Sequence, residues 1–232
     1  MDPLSLARSA VAAFPSDLKA RSGKIFYTGR EAFAEPSNIY LLGLNPGGDP
    51  DKQSDETIAT SIRDFDERHA PWSAYAYERW AGKDPGKHGM APRVLHLLDR
   101  LGLDPLRTPA SNVVFLRTRS QADLAKHMQE WMPACWPVHH TVIDALGVST
   151  IVCFGGTAGE WVRQKLGALE PVGSACETNQ RRWKYAAHRN ANLQTVVTLT
   201  HPSRANWLNA DADPSNFVKC FLQTAAAIYN GR

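Results

Sequence analysis

Four short, almost uninterrupted apolar runs, each closed by a polar or glycine-containing turn, constrain this chain more than any other feature. They are Asn38-Ile-Tyr-Leu-Leu-Gly-Leu44, Asn112-Val-Val-Phe-Leu116, Thr150-Ile-Val-Cys-Phe154 and Gln194-Thr-Val-Val-Thr-Leu199. Runs of this kind, with little polar alternation, read as strands buried on both faces. Between them the apolar spacing changes to the helical period. Val94, Leu95, Leu97, Leu98 and Leu101 share one helix face, with Gly102 as the stop signal. Ser120 and Asp123 have the form of a capping box. Residues 133–146 predict a longer helix that begins at Pro133 and ends at Gly147. Gly155-Gly156 opens another helix that ends near Gly167. After Asp213-Pro214, the residues Phe217, Val218, Phe221, Leu222, Ala225 and Ile228 fall on one face of a closing helix.

Buried strands separated by helices predict an α/β fold, a three-layer α/β/α sandwich around a mainly parallel, four-stranded central sheet. The 232 residues read as a single domain, with a core from about residue 38 to 229 and an N-terminal helical extension over residues 1–37.

Composition narrows partners and compartment. A formal charge of +3, with 43% hydrophobic and 21% charged residues, excludes a disordered polyelectrolyte and a protein that coats nucleic acid by charge alone. The small basic excess lies in the part of the chain from Asn112 onward. Cys135, Cys153, Cys176 and Cys220 are widely spaced and form no C-x-x-C pair, which argues against a disulfide framework or a structural zinc site and for a reducing cytoplasm. No apolar run is long enough to span a membrane, and residues 1–14 lack the pattern of a secretory signal. The expectation is a cytoplasmic protein with no membrane partner.

In open α/β sheets, ligands bind beyond the carboxyl ends of the strands. That rule selects residues 45–49, 116–120, 155–157 and 201–207, which hold most of the unusual polar chemistry. Asn45-Pro-Gly-Gly-Asp49 reads either as an ordinary turn or as a tight loop that brings a neutral amide, Asn45, and its backbone close to a ligand. It is not a P-loop. Asp49 offers a carboxylate base or caps a helix. The segment Thr200-His-Pro-Ser-Arg-Ala-Asn-Trp207 places His201, Ser203, Arg204 and Asn206 in one loop. A ring N–H of His201 can stabilise developing negative charge, Arg204 can meet phosphate, and Trp207 reads equally well as core.

Gly43-Leu-Asn-Pro-Gly47, Asn112-Val-Val and His201-Pro-Ser203, in this order on three strands, resemble the uracil-DNA glycosylase superfamily over roughly residues 38–229. The first motif is most similar to the mismatch-specific and single-strand-selective branches, and the last to the single-strand-selective and classical ones. Asn112-Val-Val with Arg117 and Arg119 is similar to the pyrimidine-reading strand of the iron–sulfur branch. The resemblance implies a monofunctional DNA N-glycosylase of base-excision repair, which hydrolyses the N-glycosidic bond of a flipped uracil or other deaminated base.

By that resemblance Asn45 and His201 would be catalytic, Asn45 orienting the attacking water and His201 stabilising the departing base anion. Gly43, Leu44 and Asn112 would bind the base, Asn112 through the paired donor and acceptor of its amide. Trp72 or Tyr75 would stack on it. Ser203, Arg204, Asn206, Arg117, Arg119, Arg181 and Arg182 would contact DNA, with Asp49 and His88 as accessory groups. The implied partner is single- or double-stranded DNA with a damaged or mismatched base, met by a monomer. No cofactor or metal is implied. With no cysteine before Cys135, an iron–sulfur cluster is not expected.

Bland readings stand beside these. Trp72, Tyr75, Tyr77 and Trp80 crowd a stretch that can be packed core or a pocket lid. Arg181-Arg-Trp-Lys-Tyr185 can contact phosphates and bases, or form an edge strand with one solvated face. Gly155-Gly156-Thr157-Ala158-Gly159 fails the dinucleotide spacing, adjacent His139 and His140 cannot share a helix face for a metal, and Ser203 lacks a nucleophile elbow. The rival that remains is a catalytically weak or inactive member that binds DNA or a nucleobase, since a neutral Asn45 activates water less than a carboxylate.

Overall fold

The computed structural model describes residues 2–80 and 82–222. In chain order its elements begin with α1 (Pro3–Ala12), α2 (Ser16–Lys19), β1 (Ile39–Gly43), α3 (Ile58–Glu67), α4 (Ala74–Tyr77) and α5 (Ala91–Leu101). They continue with β2 (Ala110–Asn112), α6 (Gln121–Ala125), α7 (Met128–Leu146), β3 (Thr150–Phe154) and α8 (Gly156–Leu166). The last are β4 (Glu170–Cys176), β5 (Lys184–Arg189), β6 (Thr195–Leu199) and α9 (Ser215–Lys219).

Among the described residues the strands form one six-stranded sheet of order β2-β1-β3-β6-β5-β4. β2, β1, β3 and β6 are parallel neighbours, and only β5 runs the other way, antiparallel to β6 and to β4. Every residue of β1 and β3 is buried, as the apolar runs require. Alternate side chains serve opposite faces. Tyr40, Leu42, Ile151, Cys153 and Val196 join a core with α1, α7 and α8, while Ile39, Leu41, Val152, Phe154, Val197 and Leu199 join one with α5 and α9. Helices therefore cover both sheet faces, and each fully buried Leu, Ile or Val contributes about 1.5–3 kcal/mol of hydrophobic stabilisation. No helix among the described residues is long and apolar enough to cross a membrane.

The expected sheet of four strands was two strands short. β4 and β5 form a hairpin that the apolar runs do not announce, because β4 is mostly solvent-exposed and β5 alternates buried Tyr185 and Ala187 with half-exposed or exposed neighbours. The alternation that begins at Lys184 is thus a strand, but β4 and not β5 takes the edge. The second strand is also shifted. It covers Ala110–Asn112, and the apolar residues after it continue beside β1 only through Val113 N–H to Gly43 O and Val114 N–H to Leu44 O, both at 2.9 Å. The outer edge of β2 is closed by residues 23–28, through single bridges from Phe26 to Ser111 and from Gly23 to Leu116.

α7 starts at Met128, five residues before Pro133, and runs through Pro133 and Pro137. Interior prolines cost about 3 kcal/mol each. The buried stripe of Trp131, Met132, Cys135, Val138, Val142, Ile143 and Leu146 offsets that cost and holds the helix in register. Gly102, Gly147 and Gly167 close α5, α7 and α8 in the left-handed conformation, as expected. Ser120 caps α6 by accepting the Asp123 N–H. Asp49 caps no helix, since the N-cap of α3 is Thr57, whose hydroxyl accepts the Thr60 N–H. The closing helix begins after Pro214 as expected and buries Val218, but it ends at Lys219, so Phe221 and Leu222 fall beyond it. Ala225 and Ile228 lie outside the described residues.

Candidate active site

Parallel strands deliver their carboxyl ends to one edge of the sheet, and the loops that leave that edge enclose a cleft of about 1490 Å³. Leu44 and Asn45 enter it from β1, Asn112 from the last position of β2, and Phe154 to Ala158 from the β3–α8 turn. Thr200, His201, Ser203 and Arg204 enter it after β6. Three residues far apart in sequence, Asn45, Asn112 and His201, therefore line a single cavity.

The orientation of Asn45 follows from its partners. Its Nδ2 donates to the carbonyls of Pro46 at 3.0 Å and Leu116 at 3.3 Å, and to Thr118 Oγ1 at 2.9 Å. Carbonyl oxygens only accept, and Thr118 Oγ1 donates onward to Ser120 O at 3.0 Å. The amide nitrogen is thus fixed on the protein side, leaving Oδ1 as the end able to accept from a water. The loop behind it is braced by Arg117, which donates to Gly47 O at 2.6 Å, Ser22 Oγ at 3.1 Å and Glu56 Oε2 at 2.6 Å. Gly48 turns this loop at φ +121, and a Cβ there would collide with Gln53.

Asn112 is nearly buried and lies directly across Gly43, its register partner in β1. A Cβ on Gly43 would overlap Asn112 Oδ1, so the glycine makes room for the amide. Beside it Tyr27 stacks on Tyr75 with ring centroids 5.7 Å apart, and Trp80 meets the Tyr75 edge at 6.3 Å. Burial, reinforced by the Glu78 charge, raises the Tyr27 hydroxyl pKa, so it is a neutral donor at ordinary pH.

His201 also has its protonation pattern set by partners. The Ser203 backbone N–H donates to Nδ1 at 3.1 Å, and Ser203 Oγ lies 2.7 Å from the same atom. An N–H can only donate, so Nδ1 is an acceptor and the neutral imidazole carries its proton on Nε2. Burial, and secondly the Arg204 charge, lower the His201 pKa and favour this neutral form. Gly155 turns beside this loop at φ +104, and a Cβ there would come into ordinary contact with His201, 3.7 Å from its Cβ. The loop is clamped from two sides. Arg93 of α5 donates to Pro202 O at 2.6 Å, and Arg181 donates to Arg204 O at 3.1 Å.

The other sequence candidates divide. Leu44, Tyr75, His88, Arg117, Arg119, Ser203 and Arg204 line the cleft with the three central residues. Trp72 does not. It borders a separate small pocket of about 140 Å³, with the Arg68 guanidinium 4.0 Å from its ring centroid. Asp49 lies outside the cleft lining and pairs with Arg119, which holds its carboxyl below the usual carboxylate range. Arg119 bonds Asp51 as well, so its charge is matched locally. Asn206 accepts from Arg93 and donates to Asn209. Arg181 and Arg182 stand behind the rim, Arg181 bound to Glu177 and Arg182 near Cys176 Sγ. Trp207 is fully buried against Phe154, which makes it core.

Sequence reading missed Tyr27, Lys24 and Arg93, while Trp183, within the basic and aromatic stretch singled out in the sequence, lines the cleft. Tyr27 and Lys24 precede the first apolar run and come to the cleft only because residues 23–28 close the sheet edge. Arg93 lies among the apolar positions of α5 and carries no local signal of a contact with a loop more than a hundred residues away. The chain matches no known family model and none of the curated proteins.

Proposed function

We propose that the protein is a DNA N-glycosylase that hydrolyses the bond between deoxyribose C1′ and a flipped uracil or other deaminated base. The observation that carries this reading is the convergence of Asn45, Asn112 and His201 in one cleft, with no partner among the described residues on Oδ1 of Asn45 or Nε2 of His201. A base inside a stacked duplex is out of reach of such a cleft, so the nucleotide must leave the stack. Asn112 then offers a donor and an acceptor to the pyrimidine edge.

As the C1′–N bond breaks, its electron pair moves onto the base. The Nε2–H of His201 hydrogen-bonds the base oxygen where that charge collects and keeps its own proton throughout. Asn45 Oδ1 accepts from a water and aims it at C1′. A neutral amide is a poor base, so the water passes its proton to solvent only as its bond to the sugar forms, and catalysis rests on position and electrostatics. The products are an abasic sugar and the free base, which takes a proton from solvent.

The test uses single- and double-stranded oligonucleotides carrying uracil, hypoxanthine, xanthine or mismatched thymine, followed by alkali. Strand scission that is lost in His201→Ala and in Asn45→Ala supports the enzyme. Tight oligonucleotide binding with no scission on any substrate supports the rival reading of a binding module, which the neutral Asn45 makes chemically reasonable.

A further inference from the structure

Of the cationic side chains that line the cleft, four face carboxylates. Lys24 pairs with Glu78, Arg79 with Asp84, Arg117 with Glu56, and Arg119 with Asp49 and Asp51. Arg204 and Lys184 also line the cleft, and neither makes an ion pair among the described residues. Lys184 is exposed at the start of β5, near the end of β6, and its ammonium lies over no aromatic ring among the described residues. Arg204 belongs to the same turn as His201, its backbone N–H donating to the His201 carbonyl at 2.9 Å. Its guanidinium lies over the Trp183 ring, 5.4 Å from the centroid, and Arg181 lies over the same ring at 4.4 Å. Arg181 is itself anchored on the buried Glu177 carboxylate at 3.2 Å. Aromatic contact thus holds this unmatched cation at the cleft, on the loop that carries the imidazole.

That placement fills a gap in the charge balance of the reaction. His201 and Asn45 are both neutral, whereas the departing base carries a full negative charge. A neutral donor supplies a hydrogen bond, but a cation, here the exposed guanidinium of Arg204 at the cleft wall, also supplies long-range attraction. Resting on the glycosylase reading, we propose that Arg204 is a further catalytic residue whose guanidinium stabilises the negative charge on the departing base together with the Nε2–H of His201. The electron pair of the C1′–N bond goes to the base, water provides the oxygen that replaces it at C1′, and Arg204 gives up no proton. The influence of Arg204 on the imidazole pKa is consistent with its charge being felt at this position.

Leaving-group dependence tests the assignment. Single-turnover excision is measured for the full chain, Arg204→Gln and Arg204→Lys, on oligonucleotides that carry uracil or 5-fluorouracil. The fluorinated base is the more acidic, so its anion needs less help. The expected result is a loss of about 100-fold for Arg204→Gln on uracil, a much smaller loss on 5-fluorouracil, and substantial recovery in Arg204→Lys. The protein concentration for half-saturation should change little. Equal losses on both bases, or an effect confined to half-saturation, would mean a phosphate contact and would overturn the proposal while leaving the glycosylase reading intact. A wild-type chain that excises neither base overturns both.

Discussion

The Ser203 backbone N–H points at Nδ1 of His201 across 3.1 Å, and this one bond decides which imidazole nitrogen faces the cleft with a proton. Protonating Nδ1 would set two donors against each other. Burial and the Arg204 charge already hold the His201 pKa below its ordinary value of 6.5. In the proposed mechanism the neutral form acts, and it dominates above the folded-state pKa. Single-turnover excision should therefore stay level as pH falls through 6.5 and decline only below it. A pH–rate profile with its acidic midpoint at or above that value contradicts the assignment.

Asn45 presents a sharper chemical choice. Its Nδ2 sits on two backbone carbonyls, so Asn45→Asp would press a carboxylate oxygen against the acceptors of Pro46 and Leu116. A stronger base at this position should not accelerate the reaction. The expected outcome is a loss of 10-fold or more in Asn45→Asp, alongside a similar loss in Asn45→Ala, since a mispaired polar group, even half-buried, costs about 1–3 kcal/mol. A faster Asn45→Asp enzyme would show that the amide is not anchored as described.

Gly43→Ala tests the base-reading role of Asn112. The new Cβ would occupy the space of Asn112 Oδ1, while its next neighbour, Ser111 O, stands at 3.9 Å. The amide must swing away, but the strand need not. Half-saturation with a uracil oligonucleotide should rise by about 10-fold, one lost hydrogen bond's worth, with little change in melting temperature. Unchanged binding would remove Asn112 from the reading of the base.

The α/β character, the parallel run β2-β1-β3-β6 and the edge at which the cleft opens were legible because they depend on strands buried on both faces, and burial leaves a mark in every residue of the run. The β4–β5 hairpin was hidden because half-exposed strands need no apolar run. Asn45 and His201 were readable as loop residues at strand ends, whereas Asn112, read as the first residue of the second strand, is the last residue of β2. What surrounds them was not. Arg93 and Tyr27 reach the site through tertiary packing, and Arg119, which looks like a free cation in the sequence, is matched by Asp49 and Asp51 only in three dimensions. Trp72 shows the converse, an aromatic near the right segment that faces another pocket.

His139 gives a stability prediction independent of function. It is fully buried, with Nε2 donating to Val113 O at 3.3 Å and Nδ1 accepting from the Tyr40 hydroxyl at 3.0 Å. Desolvation lowers its pKa from 6.5 to about 4. Between these values the unfolded chain takes up a proton that the folded chain refuses, so stability falls with pH by roughly 3 kcal/mol across that window. His139→Gln can keep a donor and an acceptor and does not titrate. Its denaturant midpoint should depend less on pH between about 6.5 and 4 than that of the unmodified protein. Parallel profiles for the two would show that His139 is already protonated in the fold.

The central claim is that this cleft breaks a C1′–N bond, and the mass of the DNA reports that most directly. A uracil-containing single strand is incubated with excess protein and weighed intact by mass spectrometry, without alkali. The account predicts an oligonucleotide that has lost uracil and gained the elements of water, with free uracil in solution, and no such product in the double variant Asn45→Ala, His201→Ala. An oligonucleotide of unchanged mass that nevertheless binds the protein would contradict the account, and product formation undiminished in the double variant would contradict the site.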